Sequence, residues 1–278
     1  MNPLMDVSAL NHRMTSGERT VLLDVRWALG DPHGREHYLQ AHIPGAVYVD
    51  LPTQLAGPAG PREGRHPLPP LQQFQESARC WGIRNNDVVV AYDDTGGTAA
   101  ARLWWMLREA GLSTVYLLDG GLAAWRAAGY AVEGGLEQAS LGDVTLTGGA
   151  MPVIDASQAA QWPDRGVLLD ARAGERYRGE IEPVDPRAGH IPGAVSAPTA
   201  ENIGNDGRFL PPEELRGRFT ALGVRADMPT AVYCGSGVTA AHEIAALEIS
   251  GFPAALYPGS YSQWSNDPAN PVATGAAP

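Results

Sequence analysis

The sequence predicts an α/β protein of two tandem domains, each a parallel sheet flanked by helices. Three observations predict it: four sequence blocks that recur in order, short apolar runs alternating with helical patterns within each repeat, and a length of 278 residues, which suits two domains of ordinary size. VLLDVRW and AHIPGAVYVDL in the first half return as VLLDARA and GHIPGAVSAP in the second. Anchored there, VVVAYDDTGGTAAARLWWML aligns without a gap with TAVYCGSGVTAAHEIAALEI, in the register that sets Asp93 on Cys234. LLDGGLAAW then falls on LYPGSYSQW, which sets Gly120 on Gly259 and Trp125 on Trp264.

Each repeat offers four strand positions. TVLLDVR (Thr20–Arg26) and GVLLDAR (Gly166–Arg172) are Val- and Leu-rich runs of the kind buried in parallel sheets. GAVYVD and GAVSAP give the second position, DVVVAY and TAVYC the third, TVYLLDGG and AALYPGS the fourth. The intervening AARLWWMLREAGL and TAAHEIAALEISGF carry helical patterns. Such alternation implies parallel strands joined by right-handed helical crossovers. Ligands of these sheets bind beyond the carboxyl ends of the strands, and Cys234 falls at such an end. The first domain is expected over residues 1–133, a glycine-rich connection over 134–152 and the second domain over 153–278. The Pro-rich tail NDPANPVATGAAP is expected to be loosely ordered at its end.

Composition narrows the function. A formal charge of −11 and a pI near 5.0 disfavour binding to nucleic acid or to an anionic membrane. An anionic substrate would need a local cluster of arginines or backbone N–H groups. Two cysteines, Cys80 and Cys234, make no disulfide framework. The N-terminal stretch lacks an apolar signal segment, and the apolar runs are of strand length. A cytoplasmic location is the expectation.

The chemistry concentrates in AVYCGSGVTAAHE, Ala231–Glu243. Gly235 and Gly237 permit backbone conformations closed to other residues. A loop so built can turn successive N–H groups inward as an anion nest, to which the following helix adds its positive end. Such a cradle favours the thiolate, the nucleophilic form of cysteine. Ser236 and Thr239 add hydroxyls. A free cysteine is often just a small buried hydrophobe, and Cys80, at the end of a helical pattern, is read that way. For Cys234 the repeat argues otherwise, because the aligned residue is Asp93, so the fold itself requires no cysteine there. A phosphate-binding P-loop would need a lysine that is absent. A cysteine phosphatase would need an arginine about six residues after the nucleophile, where Ala240 stands. A compact pocket with one thiolate suits a persulfide.

HIPGA in both halves (His42–Ala46 and His190–Ala194), DVR/DAR, LDGGLAAW with YPGSYSQW, and CGSGVT together resemble the tandem rhodanese sulfurtransferases over nearly the whole chain. The resemblance implies two rhodanese-like domains, the first an inactive copy and the second catalytic. It implies a ping-pong reaction in which Cys234 takes a sulfur from a small anionic donor and passes the persulfide sulfur to cyanide, a thiol or a thioredoxin-like acceptor. The backbone of Gly235, Ser236, Gly237, Val238 and Thr239 would hold the persulfide anion. No metal or organic cofactor is implied. Thiosulfate enzymes of the family typically carry a basic CRKGVT loop and mercaptopyruvate enzymes CGSGVT, so 3-mercaptopyruvate is the expected donor and thiosulfate the runner-up; the alternative outside catalysis is a rhodanese module that binds partners or senses redox state, against which the intact cysteine and glycine loop weigh. The family's carboxylate-binding arginine falls on Arg176, and its second arginine is carried to Arg187, three residues before His190. A Ser–His–Asp relay described for the family is carried to Ser236, His42 and Asp31; for His42 the alternative is a role fixing the turn before IPGA, as for His190. Asp24, Asp170, Arg102, Trp104, Trp105 and Trp125 read as fold residues, and Arg178 as a solvated charge.

Overall fold

The structure, a computed structural model, describes residues 2–278. The first domain holds a sheet of β1 (Leu4–Met5), β2 (Thr20–Asp24), β3 (Val47–Tyr48), β4 (Val88–Tyr92) and β5 (Val115–Leu118), all parallel, in the order β1-β5-β4-β2-β3. The second holds β6 (Val167–Asp170), β7 (Val195–Ser196), β8 (Thr230–Tyr233) and β9 (Ala255–Leu256), again parallel, in the order β7-β6-β8-β9. The two orders coincide under the repeat. A bridge between Val153 and Leu256 stands where β1 pairs with β5. The central strands are apolar on both faces because helices cover both.

Those helices are α1 (Val7–Thr15), α2 (Gly34–Gln40), α3 (Leu51–Gln54), α4 (Leu71–Cys80), α5 (Thr98–Glu109) and α6 (Gly121–Ala127) in the first domain. In the second they are α7 (Ala156–Gln161), α8 (Gly174–Tyr177), α9 (Pro212–Ala221), α10 (Thr239–Ile249) and α11 (Ser260–Trp264). The equivalent helices α5 and α10 pack on each other between the two sheets. Both are therefore buried nearly all round, which explains their lack of a polar stripe. Alanines of α10 and Trp104 and Trp105 of α5 belong to one apolar core, which runs through the interface. No helix among the described residues is long and apolar enough to cross a membrane.

Two regions are better held than the sequence suggests. The connection runs as a strap along the first domain, with Val144 and Leu146 buried and Val144 N–H donating to Ile83 O. The tail is held in place as far as Gly275. Ala273 exchanges backbone hydrogen bonds with His190, Gly275 N–H donates to Arg178 O, and Trp264 Nε1 donates to Pro271 O at 2.8 Å. In the first domain Glu133 pairs with His42, Gly135 with Leu39 O, and Trp125 with Ala131 O at 2.8 Å. The repeat thus continues past the Trp block in backbone bonds although the side chains differ. Cys80 is also exposed rather than a buried hydrophobe.

Candidate active site

The carboxyl end of β8 delivers Cys234 to the floor of a cavity of about 690 Å³ between the domains. The side chain is 1% exposed. The loop curls back so that Gly237 N–H donates to Cys234 Sγ at 3.1 Å. Gly237 has φ +77°, and a Cβ there would lie 2.6 Å from Pro258 O and 3.2 Å from an Arg102 nitrogen, so glycine is required on both counts. Val238 caps α10, whose N-terminus opens at Thr239. Gly235, Ser236, Val238 and Thr239 all line the cavity.

The first copy shows what such a loop prefers to hold. Asp93 occupies the position of Cys234, is fully buried, and its carboxylate accepts four backbone N–H bonds, from Thr95, Gly97, Ala99 and Ala100, at 2.8–3.0 Å. Burial raises its pKa against the pull of those donors. One loop of the duplicated fold therefore already cradles an anion in a dry nest.

The site is completed from the other domain. Arg102 of α5 is fully buried and donates to Gly237 O (3.1 Å), His66 O (2.9 Å) and Leu55 O (3.2 Å). Burial lowers its pKa to about 10, so it stays cationic at neutral pH beside the thiol. It is more than a fold residue: one guanidinium fixes the loop and His66 together. His66 Nδ1 and Ser236 Oγ lie in hydrogen-bond contact at 2.8 Å. Burial first, then the charges of Arg102 and Arg65, push the His66 pKa down to about 4. The imidazole is neutral at physiological pH and stands edge-on to Trp27.

Two arginines line the cavity from opposite domains. An added Cβ at Gly235 would lie 2.8 Å from Arg65 and 3.5 Å from Arg176 nitrogens, so both guanidinium groups reach the loop. Arg176 pairs with Glu182 (2.6 Å) and Asp185 (2.9 Å), and Arg65 pairs with the other oxygen of Asp185. Asp185 has its pKa raised, burial outweighing the pull of Arg65. Arg178, partly exposed, pairs with Glu180 at the cavity rim.

Three sequence expectations are corrected. His42 does not reach Ser236. Its Nδ1–H donates to Tyr38 O at 2.9 Å and its ring stacks on Tyr38 at 4.2 Å, the arrangement His190 repeats on Tyr177. Both histidines thus anchor the turn before IPGA. Asp31 is partly exposed and accepts from His33 N–H and pairs with His37. Arg187 donates to the carbonyls of Trp264, Ser265, Asp267 and Asn270, where it ties down the end of α11 and the tail.

Sequence reading missed Arg65, His66 and the reach of Arg102. Arg65 and His66 lie in PREGRHPLPP, which ends like NDGRFLPP of the second copy. The usable signal was the departure: His66 stands where the second copy has Arg208. The two segments are exchanged across the interface. Arg65 N–H donates to Ser262 Oγ of the second domain, and Phe209 N–H donates to Asp119 of the first. Likewise Gly237 O is held by Arg102 of α5, and its counterpart Gly96 O by His242 of α10.

His242 gives this interface a pH dependence. Its Nε2–H donates to Gly96 O at 3.0 Å, so Nδ1 accepts from the Thr199 hydroxyl at 2.7 Å, which requires a neutral ring. Burial pushes its pKa down to about 4. The unfolded chain takes up a proton below about pH 6.5 that the native ring refuses, so this contribution is full above that pH and falls toward pH 4, by at most about 1.4 kcal/mol per unit. His242→Gln is expected to cost less stability at pH 5 than at pH 7 in urea unfolding; an equal cost at both would show that the ring takes up its proton as readily in the folded chain as in the unfolded one.

Comparison with known proteins follows the same lines. The rhodanese-like domain profile matches residues 6–128 and 155–267. A probable 3-mercaptopyruvate sulfurtransferase of Pseudomonas aeruginosa is 50% identical over 263 residues, covering 92% of each chain. A putative thiosulfate sulfurtransferase, SseB, of Mycobacterium tuberculosis is 44% identical over 280 residues, covering 99% of this chain and 98% of its own. The crystal structure of SseA from Escherichia coli, a 3-mercaptopyruvate sulfotransferase, superposes with a TM-score of 0.84 at 30% identity, over 94% of this chain and 99% of that one.

Proposed function

The chain belongs to the rhodanese-like domain family and is a sulfurtransferase, and on that footing we propose that its preferred donor is 3-mercaptopyruvate, with Cys234 as the carrier. The observation that carries this reading is the Ser236–His66 contact beside the thiol. The electrostatics agree. Arg65 and Arg176 are largely balanced by Asp185 and Glu182, and the loop has no basic side chain, so the site suits a monoanion better than dianionic thiosulfate.

In this mechanism Arg65 and Arg176 bind the donor carboxylate and aim its sulfur at Cys234. The thiolate attacks that sulfur, an S–S bond forms and the C–S bond breaks, and the electron pair leaves on the pyruvate enolate carbon. The donor's thiol proton is the one that carbon must gain. Ser236 and neutral His66 are placed to pass it, since each can give a proton and take one. The persulfide anion that results stays in the nest under the Gly237 N–H and the Arg102 charge. A cyanide or thiol acceptor then attacks the outer sulfur and releases the Cys234 thiolate.

The test is kcat/KM for 3-mercaptopyruvate and thiosulfate with one acceptor, for the native enzyme and for Ser236→Ala. Mercaptopyruvate is expected to be favoured, and the variant to lose about 10²–10⁴-fold with it, the range for a positioned proton-transfer group, while losing far less with thiosulfate, whose sulfite leaving group needs no proton. A thiosulfate preference, or equal losses, would refute the donor assignment.

A further inference from the structure

Outside the active site, one buried nitrogen lacks a partner and faces carboxylates. His42 is 0% exposed and spends its Nδ1–H on Tyr38 O, so Nε2 is the ring nitrogen left to present a lone pair. That atom has no hydrogen-bond partner. Glu133 Oε1 lies 3.8 Å from it, and ligand atoms of His42, Glu133 and Glu137 all fall within 4.8 Å of one another. A lone pair facing carboxylate oxygens is unfavourable unless a positive charge sits between them.

The repeat provides the control. His190 makes the same bond to Tyr177 O, and its Nε2 is likewise unpartnered. Its backbone partner, however, is Ala273, where His42 has Glu133. Four residues on, Glu137 is matched by Ala277 in the register that pairs Gly135 with Gly275. The fold thus needs neither carboxylate, yet the first copy has both, at the histidine.

We propose that His42, Glu133 and Glu137 form a site for a divalent cation, with zinc the best match. One imidazole and two carboxylates are ordinary zinc ligands at about 2.0–2.2 Å, and two negative charges balance the ion. The histidine is pre-oriented by its second nitrogen, as metal-bound histidines are. Glu133 Oε1 also accepts from Gly45 N–H, at 2.7 Å, so that carboxylate is already steered. The glutamates are partly exposed, so their side chains can swing in to close the remaining distance to coordination. The site would pin the HIPGA turn to the start of the interdomain connection and leave the reaction untouched.

Zinc titration of the metal-stripped full chain, in a Cys80→Ser/Cys234→Ser background that removes competing thiolates, tests the assignment by calorimetry and melting temperature. One equivalent of zinc is expected to bind and raise Tm. Glu137→Gln, at a partly exposed position, is expected to weaken binding at least tenfold and abolish the zinc-dependent rise while leaving Tm in chelator unchanged. In the otherwise native chain it is expected to leave sulfur transfer unaltered. Absence of binding at millimolar zinc, or binding indifferent to Glu137→Gln and Glu133→Gln, would overturn the proposal. So would an NMR titration showing His42 doubly protonated at neutral pH with zinc present, because a proton would then be the cation.

Discussion

Cys234→Ser is expected to abolish sulfur transfer from every donor while leaving the fold intact. The substitution is nearly isosteric at a 1% exposed position, and serine can still accept the Gly237 N–H that now meets Sγ. The loop geometry rests on the Gly237 backbone and on Arg102, neither of which is altered. A hydroxyl, however, is far less acidic than a thiol and has no persulfide chemistry, so the ping-pong cycle has no carrier. Steady-state turnover checks the loss. Mass spectrometry of the donor-treated enzyme should show one added sulfur atom in the native chain and none in the variant. Retained turnover would remove the central claim about the site.

Arg65→Ala is expected to weaken the use of any anionic donor. A charged hydrogen bond to an anion contributes about 1.5–3 kcal/mol, so kcat/KM for an anionic donor should fall roughly 10- to 150-fold. Part of that fall belongs to Asp185, whose carboxylate is buried and would lose one of its two arginine partners. Asp185→Asn in the Arg65→Ala background separates the two contributions. If donor contact dominates, the double variant stays impaired. If the orphaned carboxylate dominates by competing for Arg176, the double variant recovers. Unchanged kcat/KM in Arg65→Ala alone would place the donor elsewhere in the cavity.

The architecture was legible in the sequence because duplication makes a chain its own alignment. The strand positions, the matched Gly120 and Gly259, and the contrast of Cys234 with Asp93 all came from laying one half on the other. Comparison within the chain finds what both copies share or what one has lost. It is poor at finding what one copy lends the other. Arg65, His66 and Arg102 act across the interface, on a loop some 130–170 positions away, and nothing local in PREGRHPLPP or AARLWW reports that destination. His42 misled for the complementary reason: it stands out in HIPGA, but its prominence serves a turn that both copies build. Arg187 likewise has an arginine's spacing near the site yet spends its donors on four carbonyls of the tail end.

The crossed segments have a further consequence. Gly237 O and Gly96 O are each held by the opposite domain, and the segments before α4 and α9 each reach over to the other half. This is the pattern of an isologous two-fold dimer whose subunits share one polypeptide. A single repeat with CGSGVT would be an unfinished enzyme, since the residues that clamp its loop belong to its twin. Covalent fusion guarantees that twin at every concentration. It also frees the two halves to specialise, so that one can surrender its nucleophile to a carboxylate and persist as the other's permanent subunit.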